Sequence, residues 1–316
     1  MIRASGMVTP AQGFLIWVGS KRSALPRIVP FLPPELPAGQ ITRYAEPFLG
    51  AGWMFFYLIF WYEFEAVFLS DLNPDLILTY ITIRDAVDEL IERVRGIERE
   101  LFSCSDRAGR KKLFIKTRGE YNWARRGFDY SRFGASWVER AAQFVFLNRR
   151  SYRGKYQVNK QGNFCSCFLD RGRQGKAPLV KPPNLYAVSD ALAGVELRSG
   201  DFTLCRDFVN DHTFVYLDPP YLGFKKHKCG VLYAYRLFDE SEQLRVARYF
   251  RLLDGLGARL MLSNADTFPV GPEGNFFDVI YSDFRIERVM IRQSFNASVG
   301  EDYPPEPELL IMNYGL

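Results

Sequence analysis

Histidine is almost absent: His212 and His227 are the only two in 316 residues, and the five cysteines (Cys104, Cys165, Cys167, Cys205, Cys229) form an odd, scattered set. Cys165-x-Cys167 is not a zinc spacing and the histidines complete no ligand set, so no metal is expected. Scattered, unpaired cysteines fit free thiols in a reducing cytoplasm better than a disulfide framework. Long apolar runs are also lacking. The most apolar stretch, Trp53 to Tyr62, is too short to span a bilayer and is closed by Glu63 and Glu65, so it reads as a core helix. No charged-then-apolar leader opens the chain, so nothing directs export and a cytoplasmic location is expected. What is present is ordinary globular composition, with room for a full α/β domain and a second module.

Charge is unevenly spread. Between Arg107 and Lys176 there are 18 basic and 4 acidic residues, while the rest of the chain carries 23 basic and 32 acidic. A strongly basic internal module inside an acidic body is the footprint of a nucleic-acid contact surface. Tyr121, Trp123, Tyr130, Trp137, Tyr152 and Tyr156 are interleaved with the positive charge, which favours binding over a merely solvated face.

The chemistry concentrates at Phe214-Val215-Tyr216-Leu217-Asp218-Pro219-Pro220-Tyr221. Four apolar residues predict a buried strand, and two prolines stop its ladder because neither donates a backbone hydrogen bond. The strand end becomes a stiff corner carrying a carboxylate, carbonyls and an aromatic ring, at the edge where open α/β sheets bind ligands. Such a corner suits an exocyclic nucleobase amine. A carboxylate and a carbonyl accepting its two N–H bonds would draw its lone pair out of the ring and favour charge developing on nitrogen. The tyrosine could stack on a base rotated out of a duplex.

Upstream, Phe14–Trp17 reads as a strand or extended segment, followed by a short helix between Ser20 and Pro30. Ile41–Ala45 predicts a strand that runs through Glu46-Pro47-Phe48-Leu49-Gly50-Ala51-Gly52 into a helix over Trp53–Tyr62. Strand, glycine turn and helix open a nucleotide-binding fold, in which missing Cβ atoms let a ligand approach the backbone. A second strand, Ala66–Ser70, ends in Asp71, 25 positions after Glu46, about where an acid binds ribose hydroxyls. Helical spacing runs from Asp75 to Phe102 as one long or two consecutive helices, and again over Ala135–Phe146. Lys160-Gln161-Gly162-Asn163 marks a hairpin between Tyr156–Asn159 and Phe164–Phe168, a ribbon sized for the major groove. Further on, Leu185–Leu192 is predicted helical, Val195–Leu197 a strand and Gly200-Asp201-Phe202 a turn. Leu222–Leu237 is irregular, with Lys225, Lys226, Lys228, Tyr233 and Tyr235 able to close over a base. Glu240–Leu253 is helical, Ala258–Leu262 a strand, and Val279–Tyr281 with Val289–Ile291 a terminal hairpin, before Leu309–Tyr314 closes the sheet.

In these segments the chain resembles the Dam-type, D12-class DNA adenine-N6 methyltransferases. The resemblance rests on Trp17-Val18-Gly19-Ser20-Lys21-Arg22, the Glu46–Gly52 turn, Asp71-Leu72-Asn73-Pro74-Asp75-Leu76, Leu147-Asn148-Arg149 with Gly154 and Val158-Asn159, Gly200-Asp201-Phe202, Asp218-Pro219-Pro220-Tyr221 and Leu262-Ser263-Asn264. It implies a seven-stranded, Rossmann-like S-adenosylmethionine-dependent methyltransferase sheet (residues 1–80 and 184–316). A mainly helical target-recognition domain carrying a β-hairpin would interrupt it (81–183). It further implies S-adenosyl-L-methionine held by Trp17, Lys21, Glu46, Phe48, Gly50, Gly52, Asp71, Asp201 and Phe202, and catalysis by Asp218, Pro219, Pro220 and Tyr221. Asn148, Arg149, Tyr152, Arg153, Lys155, Gln157 and Asn159 would contact double-stranded DNA.

The departures bear on the target. GATC-reading members usually carry Tyr-Asn-Gly-Leu where this chain has Tyr152-Arg153-Gly154-Lys155, and an arginine where Gln157 stands. Arginine prefers guanine and glutamine adenine, so a site other than GATC is expected. The same corner also serves cytosine N4, and a catalytically silent DNA-binding relative is a third reading. The motif order favours adenine, and the intact Asp218 and Tyr221 favour activity. A monomer is expected, with any cognate restriction endonuclease acting separately.

Overall fold

Apolar runs that alternate between two cores build the sheet. The structure, a computed structural model, describes residues 10–154, 156–170, 178–221, 231–233, 236–266, 275–291 and 306–315. Lys155, the loop residues Lys225, Lys226, Lys228 and Tyr235, and His227 and Cys229 lie outside the described residues, as do the side chains of Arg153 and Tyr233.

Strands β1 (Arg43–Glu46), β2 (Ala66–Asp71), β3 (Glu196–Ser199), β4 (Thr213–Leu217), β7 (Arg259–Ala265), β8 (Arg285–Ile291) and β9 (Glu306–Met312) form one seven-stranded sheet in the order β3-β2-β1-β4-β7-β9-β8. β9 runs opposite to the other six strands, antiparallel to β7 on one side and to β8 on the other. A small antiparallel pair, β5 (Val231–Tyr233) with β6 (Arg236–Phe238), stands apart. Tyr44, Val67, Phe214, Tyr216 and Met261 point into one buried layer, and Ala45, Phe68, Val215, Leu217 and Leu262 into the other. This period-2 alternation between two covered faces explains why the strands read as continuous apolar runs. Strand order reverses between β1 and β4, so their carboxyl ends open the crevice in which such sheets bind ligands. Glu46 ends β1 there, and Asp218 follows β4.

Helix α1 (Leu25–Ile28) precedes β1, and α2 (Trp53–Trp61) follows the glycine turn. The helical stretch after β2 divides at Ala86 into α3 (Pro74–Asp85) and α4 (Val87–Ser103). Asn73 caps α3, its side chain accepting from the Asp75 and Leu76 amides, which leaves Asp71 available for another task. The basic module holds a helix the charge pattern concealed, α5 (Arg107–Ala124). It packs on α6 (Ala135–Arg150), which runs one turn beyond its expected end. Helices α7 (Pro182–Ala191), α8 (Glu240–Asp254) and α9 (Phe276–Ile280) complete the body.

Three expectations are corrected. Val279–Tyr281 belongs to helix α9 and the turn after it, because the Asn275 side chain caps the Phe277 amide and starts a helix; β8 pairs with β9 instead. Phe14–Trp17 joins no strand and bends at Leu15. Its Ile16 amide and carbonyl bond to the Asn148 carboxamide at 2.9 and 2.7 Å, so a side chain substitutes for a strand neighbour. The ribbon is a hairpin without regular ladders, paired at Val158↔Phe164 and Ser151↔Phe168. Side chains intervene in it: the Gln157 amide bonds to Ser166 Oγ, and Asn159 Oδ1 accepts from the Gln161 and Asn163 amides.

Candidate active site and recognition surface

The corner after β4 is held from four directions. Lys21 is buried, and its Nζ donates to Asp218 Oδ1 at 2.6 Å, to the Tyr221 hydroxyl at 2.5 Å and to the Gly19 carbonyl at 3.2 Å. Ser263, at the end of β7, donates to the same Asp218 oxygen at 3.1 Å and shares a hydrogen bond with the Tyr216 hydroxyl. Gln243 of α8 donates to the Pro220 carbonyl at 3.0 Å while accepting from Asn264. Glu308 of β9 sits 3.6 Å from Lys21 Nζ and is 2 % exposed. The Tyr221 ring lies against Lys21, 4.7 Å from centroid to Nζ.

This pocket gathers more acid than base. Burial pushes Glu46 up to about 8, against the hydrogen bond from the Tyr44 hydroxyl at 2.7 Å. Burial likewise raises Glu308, against the pull of Lys21. Burial works to lower Lys21, but Asp218 and Glu308 raise it by more, so its ammonium stays charged. Burial, with Asp218 next, drives the Tyr221 phenol well above its usual range.

The glycine turn lies beside it. Gly50 (φ 47°) and Gly52 (φ 67°) take left-handed conformations, and a Cβ on Gly50 would come within 3.0 Å of the Trp17 ring. The Gly50 amide donates to Asp71 Oδ2 at 3.0 Å and the Asn73 amide to Oδ1 at 2.9 Å, so backbone dipoles hold the Asp71 carboxylate at the end of β2. Across the crevice a slot is lined by Pro47, Phe48, Leu72, Phe202, Pro220 and Arg245, with the Phe48 and Phe202 rings 5.2 Å apart. Asp201 caps the turn after β3 by accepting from the Thr203 amide and pairs with Arg245 at 2.6 Å. These bonds outweigh burial and hold its carboxyl far below the usual range. Trp17 is buried against Tyr156, centroids 6.1 Å apart and nearly parallel, and so joins the turn to the base of the hairpin.

The residues expected to contact DNA separate into two sets. Tyr152 (51 % exposed) and Gln157 present their side chains outward, and Arg149 is half-buried. Asn148 is 1 % exposed, with its amide bonded to Ile16 and Gly154, so in this structure it ties the N-terminal segment to the hairpin. The Asn159 side-chain oxygen is likewise spent on the turn. The interleaved aromatics are corrected, since Trp123 is 76 % exposed but Tyr121 and Trp137 are buried. The hydroxyls of Tyr121, Tyr130 and Tyr156 all donate to Asp75, at 2.5, 2.8 and 3.4 Å. Asp75 is also gripped by both sides of the buried Arg140 guanidinium, which stacks 4.1 Å from the Tyr121 ring.

Glu308, Gln243, Arg245 and Arg140 escaped the sequence reading, and Asp75 entered it only as part of the Asp71–Leu76 segment, not as the centre of a buried network. The available signals were an acid directly before Leu309-Leu310-Ile311-Met312 and an arginine directly before Ala141-Ala142 in a helix.

No helix among the described residues is long and apolar enough to cross a membrane. Residues 17–294 match the family model of the D12 class N6 adenine-specific DNA methyltransferases. Type II methyltransferase M.MjaIII of Methanocaldococcus jannaschii is 37% identical over 301 residues, covering 95% of this chain and 98% of that one. Type II methyltransferase M1.LlaDCHI of Lactococcus lactis is 28% identical over 96% of this chain and 95% of its own. The DNA adenine methylase of Escherichia coli K12 is 27% identical over 81% of each. With a model match over most of its length and a relative this similar from end to end, the chain belongs to the D12 class of N6 adenine-specific DNA methyltransferases.

Proposed function

We propose that this methyltransferase takes its methyl group from S-adenosyl-L-methionine and places it on N6 of an adenine rotated out of duplex DNA, at a site other than GATC. The observation that carries the reading is the position of Asp218. It stands at the sheet's switch point, fixed by Lys21 and Ser263, beside a glycine turn and a surplus of buried carboxyl groups.

The donor set suits S-adenosyl-L-methionine. Its sulfonium and α-ammonium are cations, and Glu46 and Asp71 offer buried carboxyl groups with Lys21 as a buried cation close by. Phe48 and Phe202 would flank its adenine, Gly50 and Gly52 would let it approach the backbone, and Asp71 would take its ribose hydroxyls. Asp201 and Trp17 would act from behind, one through Arg245 and the other against Gly50. Bound there, the sulfonium supplies a methyl group already activated by positive charge.

The chain does the rest by orientation. Asp218 and the Pro219 carbonyl accept the two N–H bonds of the target amine and draw its lone pair toward the methyl carbon. Positive charge that grows on nitrogen is met by Asp218, to which the departing N–H proton is already directed. Pro220, anchored by Gln243, keeps the corner stiff. Tyr221 stacks on the rotated base once its ring leaves Lys21. Outward Tyr152 and Gln157 of the hairpin, with Arg153 and Lys155 and with Arg149 at the end of α6, meet the duplex. Glutamine where arginine would read guanine supports the non-GATC site. A monomer suffices for one target base, and a companion endonuclease acting separately fits the type II names of two relatives.

Methyl transfer to mixed duplexes, with the modified DNA sequenced, tests the reading. Asp218→Ala should lower kcat by about 10²–10³-fold, as expected for loss of an electrostatic partner of the transition state. Unchanged turnover in that variant overturns the mechanism, and methylation confined to GATC overturns the proposed target.

A further inference from the structure

In the corner, one ammonium is shared among more acceptors than it can satisfy. Lys21 has three N–H bonds, already directed to Asp218, Tyr221 and the Gly19 carbonyl. Glu308 Oε1 is buried, has no hydrogen-bond partner among the described residues, and lies 3.6 Å from the same nitrogen. A buried carboxylate oxygen left without a donor is costly, and a shift of Lys21 by well under a bond length would satisfy it. Yet in the arrangement described here Lys21 bonds to the Asp218 oxygen that also accepts from Ser263. A target amine arriving at Asp218 must compete with that ammonium.

We propose that Glu308 is a positioning residue for the transfer reaction: it is the alternative acceptor onto which Lys21 moves, freeing Asp218 Oδ1 for the target amine. The proposal rests on the reading of Asp218 as the amine's acceptor. The fold explains why an acid is available at this place. β9 is antiparallel to β7 and β8, so its N-terminal end lies at the edge where the parallel strands end. Glu308 pairs in register with Ala265 on β7 and Val289 on β8, neither of which offers a donor side chain, so among the described residues Lys21 and the Tyr221 hydroxyl are the donors that act on it. The hand-over needs a charge at Glu308, not merely a polar group. With Glu308 neutral, Lys21 has no reason to leave Asp218.

A double-mutant cycle on the full-length enzyme reads this out. Glu308→Gln should lower kcat by about 10-fold or more, the scale of effect when a reacting group is held slightly out of place. Its dissociation constant for S-adenosyl-L-methionine should stay within about 3-fold of the parent, because the change acts on the amine's acceptor. Glu308→Asp, which keeps the charge, should retain at least about a third of the parent kcat. In a Lys21→Met background, where there is no ammonium to hand over, adding Glu308→Gln should change the residual rate by less than about 3-fold, since residues acting through one another are non-additive. Three outcomes overturn the proposal: an unchanged kcat in Glu308→Gln, a Glu308→Asp variant as impaired as Glu308→Gln with a normal melting temperature, or a full additive loss in the Lys21→Met background. If Glu308→Gln does not fold, Glu308→Asp and the double variant still decide. Full activity in Asp218→Ala would instead remove the underlying reading of the corner.

Discussion

Two buried charge clusters lie on the same side of the sheet and are built on opposite plans. Around Asp75, one carboxylate meets the Arg140 guanidinium and three tyrosine hydroxyls, so its lone pairs are used and its charge is balanced. Around Lys21, one ammonium faces Asp218 and Glu308 with Glu46 close by, and a carboxylate oxygen has no donor among the described residues. A saturated buried network fixes one arrangement, whereas an unsaturated one keeps a site ready for something else. The first cluster joins α3 of the sheet domain to α5, α6 and the hairpin through Tyr156. The second lies in the crevice where the amine and the sulfonium are proposed to meet.

Removing a cation from each cluster should separate them most strongly. Arg140→Leu leaves Asp75 buried without its counter-charge and should cost about 3–5 kcal/mol in denaturant unfolding. Lys21→Met at pH 6 should cost about 1 kcal/mol or less while leaving only a small residual rate of methyl transfer, because neighbouring carboxyl groups with raised pKa take up protons. Equal destabilisation by the two would erase the distinction.

A pH series is the next largest effect. Glu46 is raised by burial from the usual 4.5 to about 8. Between those values the folded state holds a proton that the unfolded state has released, so stability should fall as pH rises through this window, by up to about 1.4 kcal/mol per pH unit for one group. Glu308 acts in the same direction. Glu46→Gln should flatten the slope, and a slope unchanged by that substitution would show that Glu46 is not the group responsible. The smallest effect tests saturation itself. Tyr130→Phe removes one of several donors to Asp75 and should cost about 1 kcal/mol by thermal or denaturant unfolding. A loss near that of Arg140→Leu would mean the cluster is not redundant.

Some of this was legible along the chain. The Pro219-Pro220 stop, the left-handed Gly50 and Gly52 and the acid ending β2 act through neighbouring residues, so their signals survive in one dimension. Apolar runs punctuated by those turns placed most of the strands, while their joining into one seven-stranded sheet was an expectation carried by the family resemblance. The hairpin was located correctly but idealised, since Ser166 and Asn159 replace part of its ladder with side-chain bonds. The aromatic residues of the basic module were misjudged because exposure is not written in residue type. Tyr121 and Tyr130 look like Trp123 in sequence, but their hydroxyls turn inward to Asp75.

The sequence by itself determined where the reactive corner and the glycine turn lie and that a basic module interrupts the α/β body, because proline, glycine and charge density act locally. Only the tertiary structure decided what surrounds them. Arg140 meets Asp75 across 65 positions, and Glu308 reaches Lys21 because β9 alone among the described strands of the sheet runs backwards. The direction of a strand is set by which neighbours it pairs with, and that is a property of the folded sheet.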